Sequence, residues 1–143
     1  MFSKILARAA VAATAAGLAL TVGMGTAQAS TTSPYVGYGY ENNPHAVWCV
    51  QHLANDIADV FGRPKISEDG VFGPATYNQV RWVQAELGPV VSGGLTVDGV
   101  VGPSTGYVLL TNGDDYYGNT GYCLGYVPTW TNDMPPIGHV VLD

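Results

Sequence analysis

The feature that most constrains this chain is an octet written twice. "DGVFGPAT" occupies residues 69 to 76 and "DGVVGPST" occupies residues 98 to 105, differing only at Phe72/Val101 and Ala75/Ser104. Asp-Gly supplies a turn whose glycine can take positive φ, and Gly-Pro then opens a helix with proline where its missing N–H is not needed. Two such units predict two corners that each feed a helix.

A third helix start lies upstream. Asn43 followed by Pro44 reads as an N-cap with proline at the first helical position, and Val47, Val50, Ala54, Ile57 and Phe61 then recur at three- and four-residue steps toward a stop near Gly62. After the first octet, Thr76, Val80, Val83, Gln84 and Leu87 line one side of a second helix that stops at Gly88-Pro89. After the second octet, residues 103–110 read as a short third helix with Val108 and Leu109 turned inward. The expected fold is all-α, a small three-helix bundle with an irregular N-terminal arm and C-terminal tail.

The flanking segments differ in kind. Residues 1–29 have the layout of an export signal: Lys4 and Arg8, an apolar run from Ala9 to Val22, and the small-x-small site Ala27-Gln28-Ala29. The apolar run is short for a membrane span. Residues 30–43 form a Tyr/Gly-rich arm without period, residues 44–112 the helical domain, and residues 113–143 a broken tail, with short strands expected around 121–126 and 138–142.

Charge and cysteine content narrow the function classes. The chain carries five Lys/Arg, two of them in the export signal, against eleven Asp/Glu, so nucleic acid and anionic membrane are not expected as partners. Cys49 and Cys123 are an even pair in a chain read as exported, which predicts one disulfide tying the tail to the first helix. His45, His52 and His139 lack the close paired spacing of a zinc site, so no metal and no cofactor are expected. Asp114-Asp115 falls in the tail, and no catalytic residue is assigned.

The order V47-x-x-V50-Q51, D69-G-V-F-G-P-A-T76, V80-x-x-V83-Q84 and D98-G-V-V-G-P-S-T105 resembles the peptidoglycan-binding domain appended to bacterial cell-wall hydrolases, over about residues 44–112. The resemblance implies a compact three-helix domain in which the octets are pseudo-symmetric corners, and a role in targeting the cell wall without catalysis. The octet residues are expected to be structural, their carboxylates and hydroxyls satisfying turn and helix-start N–H groups. The chain departs from the pattern at Gly106, where the family carries a large aromatic residue, and packing by the tyrosine-rich tail is the expected compensation.

A binding surface is sought where large side chains leave the core arc. At 100° per residue, Trp82 lies about 200° from Val80, beside Asn78 and Arg81, and Trp48 lies about 100° from Val47. Neither indole is needed by the expected core. Trp82, Arg81, Asn78 and Trp48 are therefore the candidate ligand contacts: indoles to stack on sugar faces, and an arginine to meet a stem-peptide carboxylate. Two readings of Trp48 stay open, since a tail tethered at Cys123 could simply cover it. The partner expected is peptidoglycan, through its glycan or stem peptide. The alternative is a secreted protein-interaction or inhibitor module acting on another cell-wall protein, for which exposed tyrosines would serve.

Overall fold

The computed structural model describes residues 33–118 and 121–130. The expected export signal, its cleavage site and the expected strand at 138–142 lie outside them. Three α-helices appear in the expected order: α1 (Pro44–Val60), α2 (Pro74–Leu87) and α3 (Pro103–Asn112). No strand forms among the described residues, only an isolated antiparallel bridge between Val36 and Val101.

Each helix starts as the sequence dictates. Asn43 accepts a hydrogen bond from the His45 N–H at 2.8 Å and Pro44 occupies the first turn of α1. The helix closes with Arg63 N–H on Ala58 O and Gly62 N–H on Asp59 O, the paired bonds of a left-handed C-terminal cap, with Gly62 at φ +69°. Phe61, expected in the core stripe, falls in this cap and is exposed, because the helical period ends before it. Val47, Val50, Leu53, Ala54 and Ile57 of α1 meet Val80, Val83 and Leu87 of α2 and Val108, Leu109 and Leu110 of α3 in one buried cluster.

The octets build matching corners, each clamped by a glutamine of the preceding helix. Gln51, buried in α1, donates through Nε2 to Asp69 Oδ1 at 2.9 Å, Val71 O at 3.1 Å and Thr76 Oγ1 at 2.9 Å, while its Oε1 accepts from Gly70 N–H at 2.9 Å. Gln84 of α2 repeats this on the second octet: Nε2 to Asp98 Oδ1 at 3.0 Å, Val100 O at 2.9 Å and Thr105 Oγ1 at 3.2 Å, with Oε1 accepting from Asp98 and Gly99 N–H. The carboxylates do take turn amides, Asp69 from Val71 N–H and Asp98 from Val100 N–H, both at 2.9 Å. The threonine hydroxyls do not cap helix starts; they accept from the glutamine amides, and the N-cap positions Gly73 and Gly102 carry no side-chain cap. A buried amide that satisfies several turn groups fixes the corner, since any group left unpaired there would cost its desolvation.

Arm and tail both belong to the fold. Val36 exchanges backbone hydrogen bonds with Val101 (3.1 and 2.8 Å) and is buried, and the turn after it is closed by the Asn42 side chain, which accepts from Gly37 N–H and donates to Gly37 O. The tail returns to α1 through the Cys49–Cys123 disulfide, with Cα atoms 5.5 Å apart and both cysteines buried. Residues 121–126, expected as a strand, instead make a 3₁₀ turn, Tyr122–Gly125, because Leu124, Tyr126 and Val127 N–H groups bond within the segment and Cys123 N–H bonds back to Tyr117 O. At Gly106 an added Cβ would run into the Pro128 carbonyl and sit 3.0 Å from Val127. The tail backbone thus occupies the space beside α3 that the departure at Gly106 leaves open.

Candidate functional site

On the outer side of α2, Tyr77, Asn78, Arg81 and Trp82 fall at i, i+1, i+4 and i+5, so Tyr77 and Arg81 form one adjacent pair and Asn78 and Trp82 the next. Asn78 and Arg81 are exposed, and Tyr77 and Trp82 are partly buried. The Arg81 guanidinium lies over the Tyr77 ring, 5.6 Å from its centroid. The arm turn places Tyr38 against the same ring at 5.2 Å, with its other neighbour Phe72 met edge-on at 5.3 Å. Tyr38 keeps 49% of its surface exposed. The result is an aromatic ledge in which Tyr38 is the exposed ring and Tyr77, between Tyr38 and the Arg81 guanidinium, supports it, with Asn78 exposed next to Tyr77 on α2.

Trp82 is adjacent but not free. Arg63 lies over its ring at 4.9 Å, held there by a 2.8 Å bond from Nε to Gln79 Oε1, and Phe61 meets its edge at 5.6 Å. Trp82 and Trp48 are also both packed against the core cluster, contrary to the expectation that neither indole serves the core. The helical wheel places both off the main arc, but the loop after α1 and the tail extend the apolar interior outward to reach them.

Trp48 has a different set of neighbours. It stacks on His52 with centroids 4.8 Å apart and planes at 9°, and Tyr117 and Tyr122 of the tail meet it edge-on at 5.3 and 6.3 Å. Tail tyrosines thus pack against Trp48, which stays partly buried. The structure therefore groups Trp82, Arg81 and Asn78 on one face and leaves Trp48 under the tail. Tyr38 and Tyr77 are the members of that face that sequence reasoning missed; the signal was the tyrosine-rich arm, but nothing local says where an arm docks.

Beside Trp48 the fold assembles a second polar cluster. His52 Nδ1 lies 3.0 Å from Glu68 Oε2, and Glu68 Oε1 accepts from Asn55 Nδ2 at 2.9 Å. On the other side of the ring, Nε2 lies 3.7 Å from Asp56 Oδ2 and 3.6 Å from Asp114 Oδ2. Asp56 Oδ2 accepts from the Asp114 N–H at 3.0 Å, which brings the tail carboxylate to α1. Burial pushes the Asp56 carboxyl above the ordinary carboxylate range; the Asp114 N–H and then the His52 ring oppose that rise, and the Asp114 charge adds to it. The i, i+4 pair His52/Asp56 could be read from the helix period, but Asp114 is 58 residues away from Asp56.

Two shallow clefts flank Tyr35 of the arm. One, of about 370 Å³, is lined by Asp98, Ser104 and Thr105 of the second corner; the other, of about 220 Å³, by Glu41, Asn43 and Tyr126. Among the described residues no helix is long and apolar enough to cross a membrane. Comparison of the chain with models of protein families, with curated proteins and with solved structures finds no match.

Proposed function

We propose that this chain is a secreted, non-catalytic protein that binds bacterial cell-wall peptidoglycan through the outer face of α2. The observation that carries the reading is the ledge of Tyr38 and Tyr77 with Arg81 and Asn78 at its border. Aromatic faces stack on the apolar faces of amino sugars, an amide pairs with acetamido groups, and a guanidinium takes a stem-peptide carboxylate in a forked hydrogen bond. The repeated corners and the resemblance they carry supply the ligand class; the disulfide supports an oxidising compartment.

The test is sedimentation with purified sacculi. Tyr38→Ala and Arg81→Ala, each shown to be folded by circular dichroism, should each weaken binding by about 2 kcal/mol, roughly thirtyfold. Trp82→Ala should weaken it less, because Arg63 already covers one face of the indole, and Trp48→Ala should leave it unchanged. Affinity should fall only modestly from low to physiological salt, since stacking and short hydrogen bonds are not screened as a basic patch is. Wild-type binding with Tyr38→Ala and Arg81→Ala both unaffected would rule out this face. Wall digestion by the protein should release no soluble muropeptides.

A second reading, capture of another secreted cell-wall protein, draws on the exposed tail aromatics Tyr116, Tyr122 and Trp130. Recovery of a protein partner that Tyr116→Ala abolishes, without binding to sacculi, would favour it.

A further inference from the structure

We propose that His52, Asp56 and Asp114 form a binding site for a zinc-class divalent cation, with Glu68 as the group that orients the imidazole. The three side chains present one ligand atom each, all within 4.8 Å of one another. Ligand atoms about 2.0–2.1 Å from a tetrahedral zinc lie about 3.4 Å apart, and the two imidazole-to-carboxylate spans of 3.6 and 3.7 Å are within about 0.3 Å of that.

The imidazole itself points to a ligand. His52 Nε2 is out of solvent and has no hydrogen-bond partner, the sole buried side-chain polar atom in that condition among the described residues. Both carboxylates stand too far from it for a hydrogen bond and too close to be unrelated. A buried ring nitrogen without a partner costs stability, and a cation between it and the two carboxylates removes that cost. On the opposite edge, Nδ1 engages Glu68, whose second oxygen is held by Asn55. A carboxylate on the far nitrogen fixes the tautomer that leaves Nε2 free to ligate, the usual second layer of a metal-bound histidine. Trp48 stacked on the ring and Tyr117 edge-on at 4.9 Å fix its plane.

Donor chemistry selects the class of ion. Imidazole nitrogen with two carboxylate oxygens suits zinc and its neighbours, whereas calcium takes six to eight oxygens and magnesium keeps most of its waters. Three protein ligands leave a fourth position for water. Because Asp114 belongs to the tail and His52 and Asp56 to α1, the ion would join the same two elements that the Cys49–Cys123 disulfide joins.

Equilibrium dialysis of the disulfide-intact protein against zinc chloride tests this, with calcium and magnesium chloride as parallel arms and circular dichroism on every variant. One equivalent of zinc is expected, with neither calcium nor magnesium bound at the same concentration. Asp114→Asn should abolish it, His52→Ala should abolish it, and Glu68→Gln should weaken it by about 10- to 100-fold. His45→Ala should leave it intact, since His45 pairs instead with Tyr122 and Tyr126. Absence of saturable zinc binding overturns the proposal. So does a stoichiometry unchanged in folded Asp114→Asn, or a preference for calcium. Because Asp114→Asn alters only a tail carboxylate, the test stands even if His52→Ala fails to fold.

Discussion

The two corners share six of eight residues and the same glutamine clamp, yet their surroundings differ. Val71 in the first is 65% exposed, while its counterpart Val100 is half-buried; Phe72 is partly buried, while its counterpart Val101 is fully so. The arm accounts for the difference. At the second corner Val36 lies antiparallel to Val101, leaving space for a small β-branched side chain, whereas at the first corner Phe72 reaches outward to the Tyr38 ring. The octet and its glutamine specify local geometry, and what covers the corner decides how much that geometry matters to the rest of the molecule.

The largest expected effect separates the corners through the tail. Replacing Cys49 and Cys123 together by alanine should cost about 4 kcal/mol, the loop-closure entropy of a 74-residue separation. Amide exchange should accelerate first in α3 and the second corner, which rest on the tail at Gly106, and later in the first. Equal loss in both would mean that they unfold as one unit.

Next come the clamps. Gln84→Ala should cost about 3 kcal/mol and Gln51→Ala about 2 kcal/mol, because the Gly99 N–H left without an acceptor is buried and the Gly70 N–H only partly so, while the Asp98 N–H keeps Thr96 O. Chemical denaturation of the two variants checks the order. A smaller contrast is expected at the turn glycines. Gly70 and Gly99 have nearly equal positive φ, +74° and +75°, so both pay the left-handed cost of alanine, about 1–2 kcal/mol. At Gly99 the new methyl group also meets the Tyr77 ring, so Gly99→Ala should be the costlier change and should disturb the proposed ledge.

The smallest effect is electrostatic and is read at Asp69 of the first corner. The Val71 N–H, and then the Gln51 amide, hold the Asp69 carboxyl below its ordinary range. Its folded value lies below its unfolded one, so the stability it contributes is present above the unfolded value and is lost as pH falls through the folded value. Asp69→Asn should therefore flatten the acid limb of the stability profile, which acid titration followed by circular dichroism would show.

Helix starts, helix faces and the disulfide were legible because each is encoded in local period or in a two-member pairing. The octets were legible as corners, but the role of their threonines was not: an acceptor for Gln51 or Gln84 depends on a residue more than twenty positions away. Where the arm docks was not legible for the same reason, whereas the tether at Cys123 and tail packing at Gly106 were expected. Arm and tail residues carry no period, and their order comes from docking: Val36 on Val101, Tyr38 on Tyr77, Pro128 beside Gly106. For the candidate surface, Arg81, Asn78 and Trp82 could be read from the helix wheel. Tyr38 could not, nor could the union of Asp114 with His52.

The arm and the tail meet: the Ser33 hydroxyl donates to the Gly125 carbonyl at 3.4 Å. Segments that precede and follow the bundle thus lie side by side, the arrangement in which a new chain order can be tried. A circular permutant that links the tail to the arm and is opened in the exposed stretch at Ser92 and Gly93 would place the second octet ahead of the first.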